Sequence, residues 1–303
     1  MKIVKLHRRA VLPLLGLALL LVSAQQPTAA TGVGVGRVVV TPDHVAAGST
    51  NTFKLTFTAD TGPLQGQTLL DIPRGWSLPQ ATRPGATGYV ALAPETCAGT
   101  KLLRVIGYRL TITTHCKRGQ GFTLTYGPAL ASTLAADGYV FLTQTRPDAG
   151  ETATKLVKVR TVVKGKHGKR RTKLTTKRVR YVLKPTFRPV AQKKQPVVVV
   201  NGGAVDHLAL NAPTIATAGT PFNIIARAED RYGNTASGYT GIVSFSSSDP
   251  NAFLPTPYQF TATDLGAKTL TGVILRATGT QTITVSDNAG RVDVSNAITV
   301  NSF

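Results

Sequence analysis

The sequence has 303 residues, of which 35 are Lys or Arg and 14 are Asp or Glu, for a formal net charge of +21, and only 6% are aromatic. The charge is concentrated, which excludes a uniformly basic protein: residues 31–151 hold 10 basic and 7 acidic side chains, residues 152–205 hold 16 basic and no acidic ones, and residues 206–303 hold 5 basic and 7 acidic. The four remaining cations, Lys2, Lys5, Arg8 and Arg9, stand at the N-terminus.

Those four precede an apolar run from Val11 to Val22, and Val22-Ser23-Ala24 is the small-residue pattern that a signal peptidase accepts. The run falls short of the roughly 20 residues of a membrane span. Residues 1–24 therefore read as a signal peptide, no transmembrane segment follows it, and the mature chain is expected to be secreted or held at a cell surface. Arg8-Arg9 also permits a twin-arginine signal, and no cysteine follows the run for lipid attachment. About 280 residues remain, room for two domains of ordinary size.

No 3.6-residue apolar period follows the signal. Short alternating runs end instead in Gly, Pro, Asn or Asp: "TFKLTFTA" from Thr52, "RLTITT" from Arg109, "FTLTYG" from Phe122, "TITVSD" from Thr282. This is the pattern of antiparallel strands in a sandwich, so the fold class is all-β. Pro73-Arg74-Gly75-Trp76 reads as a turn after a strand, with Trp76, the only tryptophan, anchoring a core or its rim; sugar stacking is its alternative role. Cys97 and Cys116 flank a hairpin turning near Ile106-Gly107-Tyr108, and in an exported chain they are expected to form a disulfide. A metal site with His115 lacks the CxxC or HxxxH spacing that would support it.

The basic segment, residues 152–184, lies between "GYVFLTQT" (Gly138 to Thr145) and a short final strand, "QPVVVV" (Gln195 to Val200). Gly165 and Gly168 suggest a hairpin turning about Lys166-His167, with opposed residue numbers summing to 333. One face then receives Val157, Val159, Thr161 and Val163 with Thr172, Leu174 and Thr176. The other receives Lys158, Arg160, Lys164, Lys169, Arg171, Lys173 and Lys177, together with Leu156 and Val162. Arg170 breaks the pattern near the tip, and the parity flips beyond Lys177, where a bulge is expected. Two lone strands are marginal in water, so the apolar face is expected to lie on a domain or on another copy.

Like charges such as Arg160 and Lys173, opposed in this register, disfavour pairing, and the seven cations of that face point to an anion. The partner expected for an exported protein is an anionic cell-envelope polymer or polysaccharide. Nucleic acid is expected to bind only non-specifically, because Tyr181 is the one aromatic between Thr152 and Lys184. Self-association and a solvated hairpin without ligand are the alternatives.

Beyond Asn201-Gly202-Gly203, a hinge by composition, Phe222, Ile224 and Ala226 alternate with Asn223, Ile225 and Arg227 as in a half-buried strand. "DRYGN" supplies a turn in which Gly233 or Asn234 can take positive φ, and Val243 and Phe245 share a face of the next strand. The run "IATAGTPFNIIARAEDRYGNTASGYTGIVSFSSSD", with "YQFTATDLGAKTLTGVILRATGTQTITVSDNAG" and "AITV" after it, resembles a bacterial immunoglobulin-like domain of the kind repeated in secreted and surface proteins. The resemblance covers residues 205–300. More loosely, "VVVTPDHVAAGSTNTFKLTFTA" and "LLDIPRGWSLP" resemble another immunoglobulin-like module that precedes such repeats. The expected architecture is two tandem immunoglobulin-like β-sandwiches, 31–200 with the basic insertion and 205–303, joined by a linker at 201–204.

Catalytic motifs are missing. There is no GxSxG, HExxH or phosphate loop, the histidines have no ligand spacing, and "GVGVG" (Gly32 to Gly36) precedes a strand and no helix. Glu229-Asp230 are neighbours by a turn and have no partner carboxylate suited to glycoside hydrolysis. Asp230, Asn234 and Asp249 could offer oxygens to calcium, but turn formation explains them more simply. The chain is therefore read as non-enzymatic and without cofactor, binding or spacing at the cell envelope. The alternative is a structural module that assembles through β-edges and the hairpin's apolar face. No sorting motif follows "AITVNSF".

Overall fold

Alternation of Val, Thr and aromatic residues gives strands throughout the computed structural model, which describes residues 33–93, 97–148, 152–164, 170–182 and 184–303. The signal-peptide reading of residues 1–24 lies outside them. Three sheets build the first sandwich. One runs in the order Arg37–Thr41, Thr50–Thr58, Gly121–Leu130, Val90–Ala93; a second runs Arg188–Pro189, Thr143–Pro147, Leu64–Asp71, Arg109–Cys116, Ala98–Ile106; a third, short one runs His44–Ala46, Val197–Asn201, Ala136–Val140. In Thr50–Thr58 the alternation sends Phe53, Leu55 and Phe57 inward, where they meet Leu70, Leu110, Ile112, Phe122 and Leu124. Trp76 is buried in this core, edge-on to Phe53 at 5.1 Å and to Phe141 at 5.2 Å between ring centroids. It is a core anchor, leaving no face for a sugar.

A separate core, running from Leu208 to Val300, fills the second sandwich. Its sheets are ordered His207–Asn211, Phe222–Glu229, Ala267–Val273; Ile215–Thr217, Ile298–Asn301, Gly279–Gln281; and Tyr258–Gln259, Ile242–Ser247, Ile283–Asp287, Val292–Val294. Ile224 and Ala226 point inward, Asn223 outward, and Gly233 takes the positive φ of the "DRYGN" turn. The described residues are all-β, two immunoglobulin-like sandwiches in tandem, and among them no helix is long and apolar enough to cross a membrane.

Both sandwiches begin and close by the same backbone path. The first strand of each is interrupted by a proline, Pro42 or Pro213, where the chain leaves one sheet for another. Proline lacks the N–H a ladder needs, so it fits where pairing stops. The chain then runs parallel to the closing strand: His44–Ala46 beside Val197–Asn201, and Ile215–Thr217 beside Ile298–Asn301. The bonds correspond as well, Ala47 N to Asn201 O (2.8 Å) matching Ala218 N to Asn301 O (2.9 Å). The closing strand read from "QPVVVV" is thus present.

The basic segment is a β-hairpin growing from the edge of the five-stranded sheet. At its base Gln144 pairs with Pro189 and Thr145 with Arg188, which is the expected register. Beyond the base, Thr152–Lys164 and Arg170–Val182 form a two-stranded arm whose opposed numbers sum to 334, continuous from Thr152↔Val182 to Lys164↔Arg170. The expected bulge near Lys177 is absent, and the one-residue change in register falls between base and arm. This overturns the sorting into an apolar and a cationic face, because a one-residue slip exchanges the faces of one strand relative to the other. Electrostatics accounts for the difference. The 333 register opposes Arg160 to Lys173, whereas the observed one sets Arg160 across from Leu174 and Lys173 across from Thr161.

Cys97 and Cys116 are bonded, both buried, tying the outer ends of the hairpin Ala98–Ile106 and Arg109–Cys116. Gly107 at its turn has φ +54°. Replacing both cysteines by serine is expected to lower the stability of the first sandwich by about 3 kcal/mol, from the lost constraint on the unfolded chain. Urea unfolding followed by the fluorescence of Trp76 checks this, and an unchanged midpoint would refute it.

Candidate functional site

Lys158, Arg160, Lys164, Arg171, Lys173 and Lys177 all lie on the two arm strands, while Lys169 lies outside the described residues. Lys155, Arg170, Arg178 and Arg180 share those strands, although the face-sorting argument set them aside. The arm is fixed at its root: Asp148 N donates to Gln65 O (2.7 Å), Val190 N to Thr143 O (3.0 Å) and Gly34 N to Pro189 O (2.7 Å). The Arg146 guanidinium lies 4.8 Å from the Phe187 ring centroid and donates to Gln67 Oε1 (2.6 Å). A projecting ribbon thus leaves the sandwich from an anchored base.

Five consecutive residues of the arm, Thr176 to Arg180, are exposed. Consecutive strand residues point to opposite sides, so both sides of the ribbon are open to solvent along this stretch. The expectation that one face of the arm lies on a domain is corrected there, with Val179 itself 40% exposed. Lys177, Arg178 and Arg180 make no ion pair with any described residue. Acids elsewhere are engaged: Asp60 by Lys194 (2.8 Å), Asp71 by Arg109 (2.6 Å), Asp264 by Lys268 (3.0 Å) and Asp287 by Arg291 (2.8 Å).

The oxygen-rich turns of the second sandwich are saturated by amide donors. Asp230 accepts from Gly203 N (2.8 Å), Tyr232 N (2.9 Å), Asn234 N (2.9 Å) and Asn234 Nδ2 (2.9 Å). Burial opposes its charged form, but these donors outweigh burial and hold the carboxyl below the ordinary range. Asp249, in another loop, accepts from Asn251 N (2.9 Å), Arg276 N (2.6 Å) and Ala277 N (3.0 Å). Asp230 and Asn234 are therefore together and Asp249 is apart from them; their oxygens order turns. Glu229 contacts His207 Nε2 at 3.4 Å, and among the described residues no group of three His, Cys, Asp or Glu is arranged to hold a metal ion.

The Asp230 turn is also the joint between the two cores. Asn234 Nδ2 donates to Thr133 O (2.8 Å), and its Oδ1 accepts from Ala135 N (2.9 Å), both across to the first sandwich. A Cβ on Gly48 would fall 2.3 Å from the Tyr232 hydroxyl oxygen, and one on Gly202 would fall 2.0 Å from Thr235 O. Gly202, read as part of a hinge, is thus a place of close backbone approach. The sequence reading missed a further cationic feature, an open cleft of about 710 Å³ lined by Asp71, Arg74, Arg104, Tyr108 and Arg109. Arg104 and Arg109 share one hairpin, and the pairing of Asp71 with Arg109 brings the turn that carries Arg74 beside them.

No family model and no curated protein matches the chain. Among solved structures it aligns with the Escherichia coli adhesin FdeC at 15% identity, covering 89% of this chain and 98% of that one, with TM-score 0.25. It aligns with an ICAM-5 D1–D4 ectodomain fragment at 15% identity, covering 88% and 77%, with TM-score 0.21. A type II cohesin dyad from the adaptor ScaA scaffoldin of Acetivibrio cellulolyticus aligns at 9% identity, covering 89% and 97%, with TM-score 0.28. Superpositions this loose carry no argument about the chain. The immunoglobulin-like class rests on strand order and pairing.

Asn234→Ala would leave the Thr133 carbonyl and the Ala135 amide without partners, and is expected to cost about 1–3 kcal/mol in urea unfolding. Because the carboxyl of Asp230 is depressed, its contribution is present above the unfolded value of about 4 and is lost as pH falls through the lower folded value. The gap between wild type and Asp230→Asn should therefore be widest near neutral pH and close on strong acidification. A gap that grows on acidification would contradict the assignment.

Proposed function

We propose that the chain is an exported, non-enzymatic surface protein that binds or spaces at the cell envelope, its basic arm contacting an anionic envelope polymer. In this reading residues 1–24 direct export. The immunoglobulin-like domains 31–200 and 205–303, joined at 201–204, form a platform, and Lys158, Arg160, Lys164, Arg171, Lys173 and Lys177 contribute to the contact. The observation that carries it is the anchored, two-sided exposure of Lys177, Arg178 and Arg180, unpaired among the described residues, in a segment (152–205) that contains no acid. Unpaired cations on a ribbon supply long-range attraction that strengthens at low ionic strength. The saturated turns and the buried Trp76 support a binding surface located on the arm.

One observation favours a second reading, assembly of copies through β-edges: among the described residues the arm is a sheet of two strands, so each has an outer edge with no described strand beside it. Repulsion between two such arms opposes it at low salt.

Sedimentation of the mature chain with purified cell envelopes across a salt series tests the proposal, beside a variant whose residues 155–179 are replaced by an Asn-Gly turn. The expected result is retention that fades with salt and is absent from the variant. Equal retention of both proteins would remove the arm from the function. Salt-insensitive, concentration-dependent sedimentation without envelopes would favour assembly instead.

A further inference from the structure

We propose, building on the tether reading above, that the arm is a linear site, taking an extended acidic polysaccharide along its strands and not a compact anion. The pairing of Thr152–Lys164 with Arg170–Val182 runs without interruption over 13 rungs. Four cations stand on the first strand, between Lys155 and Lys164, and six on the second, between Arg170 and Arg180. Only Lys164 and Arg170 are directly opposed; every other cation faces an uncharged residue across the ladder. The charge is therefore dealt out along a ribbon about 43 Å long, roughly one cation per 4 Å with its two sides counted together.

That spacing selects the ligand class. A lone carboxylate or phosphate is held tightly when several donors converge on it, and this register separates the cations where a pocket would gather them. A polymer with one acidic group per sugar meets one cation after another. Duplex DNA carries a charge per about 1.7 Å of axis, more than twice as dense. Single strands are held through aromatic platforms, and the arm has only Tyr181. The consecutive exposure of Thr176 to Arg180 leaves a path for a polymer along either side.

Calorimetric titration of the full mature chain with oligogalacturonates of increasing length, over a salt series, tests this. Monomer and dimer should show no measurable binding, and affinity should rise at least tenfold as the ligand lengthens until it spans the arm, then level off. The slope of log K against log salt should steepen in parallel, by about 0.7 per cation neutralised on the side the polymer occupies. A variant lacking residues 160–163 and 171–174 loses four facing rungs and three cations. Its plateau should come at a ligand about a third shorter, with a shallower slope. An unchanged unfolding midpoint reported by Trp76 confirms that the variant folds.

Short oligomers binding as tightly as long ones, or a plateau that ignores the shortened arm, would overturn the linear site. If no oligogalacturonate binds while envelopes still retain the chain in a salt-dependent way, the polysaccharide assignment falls and the tether stands. Loss of both would remove both. Tighter binding of an arm-length DNA duplex at about 150 mM salt would overturn the polysaccharide in favour of nucleic acid.

Discussion

Like charges set opposite each other in a two-stranded ribbon repel at close range, and the arm is built around avoiding that contact. Its strands carry ten cations and no acid, so neutralisation from within is impossible. Staggering is the remaining remedy. The one-residue step between base and arm places each cation but the Lys164–Arg170 pair across from Val, Leu or Thr. The same step removes the continuous apolar face that would have let the arm lie down on a sandwich or a second copy. A cationic ribbon exposed from Thr176 to Arg180 follows, and its function follows from where that charge can be neutralised.

The sandwiches serve as the mount. Each closes by the parallel pairing of an early strand with the last one, and this pairing fixes the ends of the first unit on either side of the insertion. The arm therefore enters and leaves through strands already held in the five-stranded sheet, Thr143–Pro147 and Arg188–Pro189. At the joint between the two cores, Asn234 and Tyr232 meet Thr133, Ala135 and Gly48. The joint uses backbone groups of the first sandwich, so any side chain at Ala135 that keeps the turn would serve.

Much of this was legible in the chain. Alternation marked strands within Thr50–Thr58 and Phe222–Glu229, Gly107 marked a tight turn, and the paired cysteines marked the ends of one hairpin. The register of the arm was less accessible. Its Val-Lys and Thr-Lys alternation permits two registers one residue apart, and only the summed repulsion across 13 rungs separates them. The role of "DRYGN" was half visible: Gly233 announces the turn, but the partner of Asn234 lies about a hundred residues earlier at Thr133. Composition pointed to flexibility at Gly202-Gly203 because glycine serves both loose linkers and tight approaches. Only the neighbouring Thr235 carbonyl distinguishes the two here.

The central claim is that uncompensated charge, and not shape, governs the arm. Amide hydrogen exchange of the full mature chain at low salt, with and without polygalacturonate, tests it most directly. Two lone strands under mutual repulsion should exchange quickly. Adding the polyanion should slow the amides of residues 152–164 and 170–182 and leave both cores unchanged. Full protection of the arm without polyanion, or protection appearing only at the Arg74–Arg104 cleft, would contradict the account.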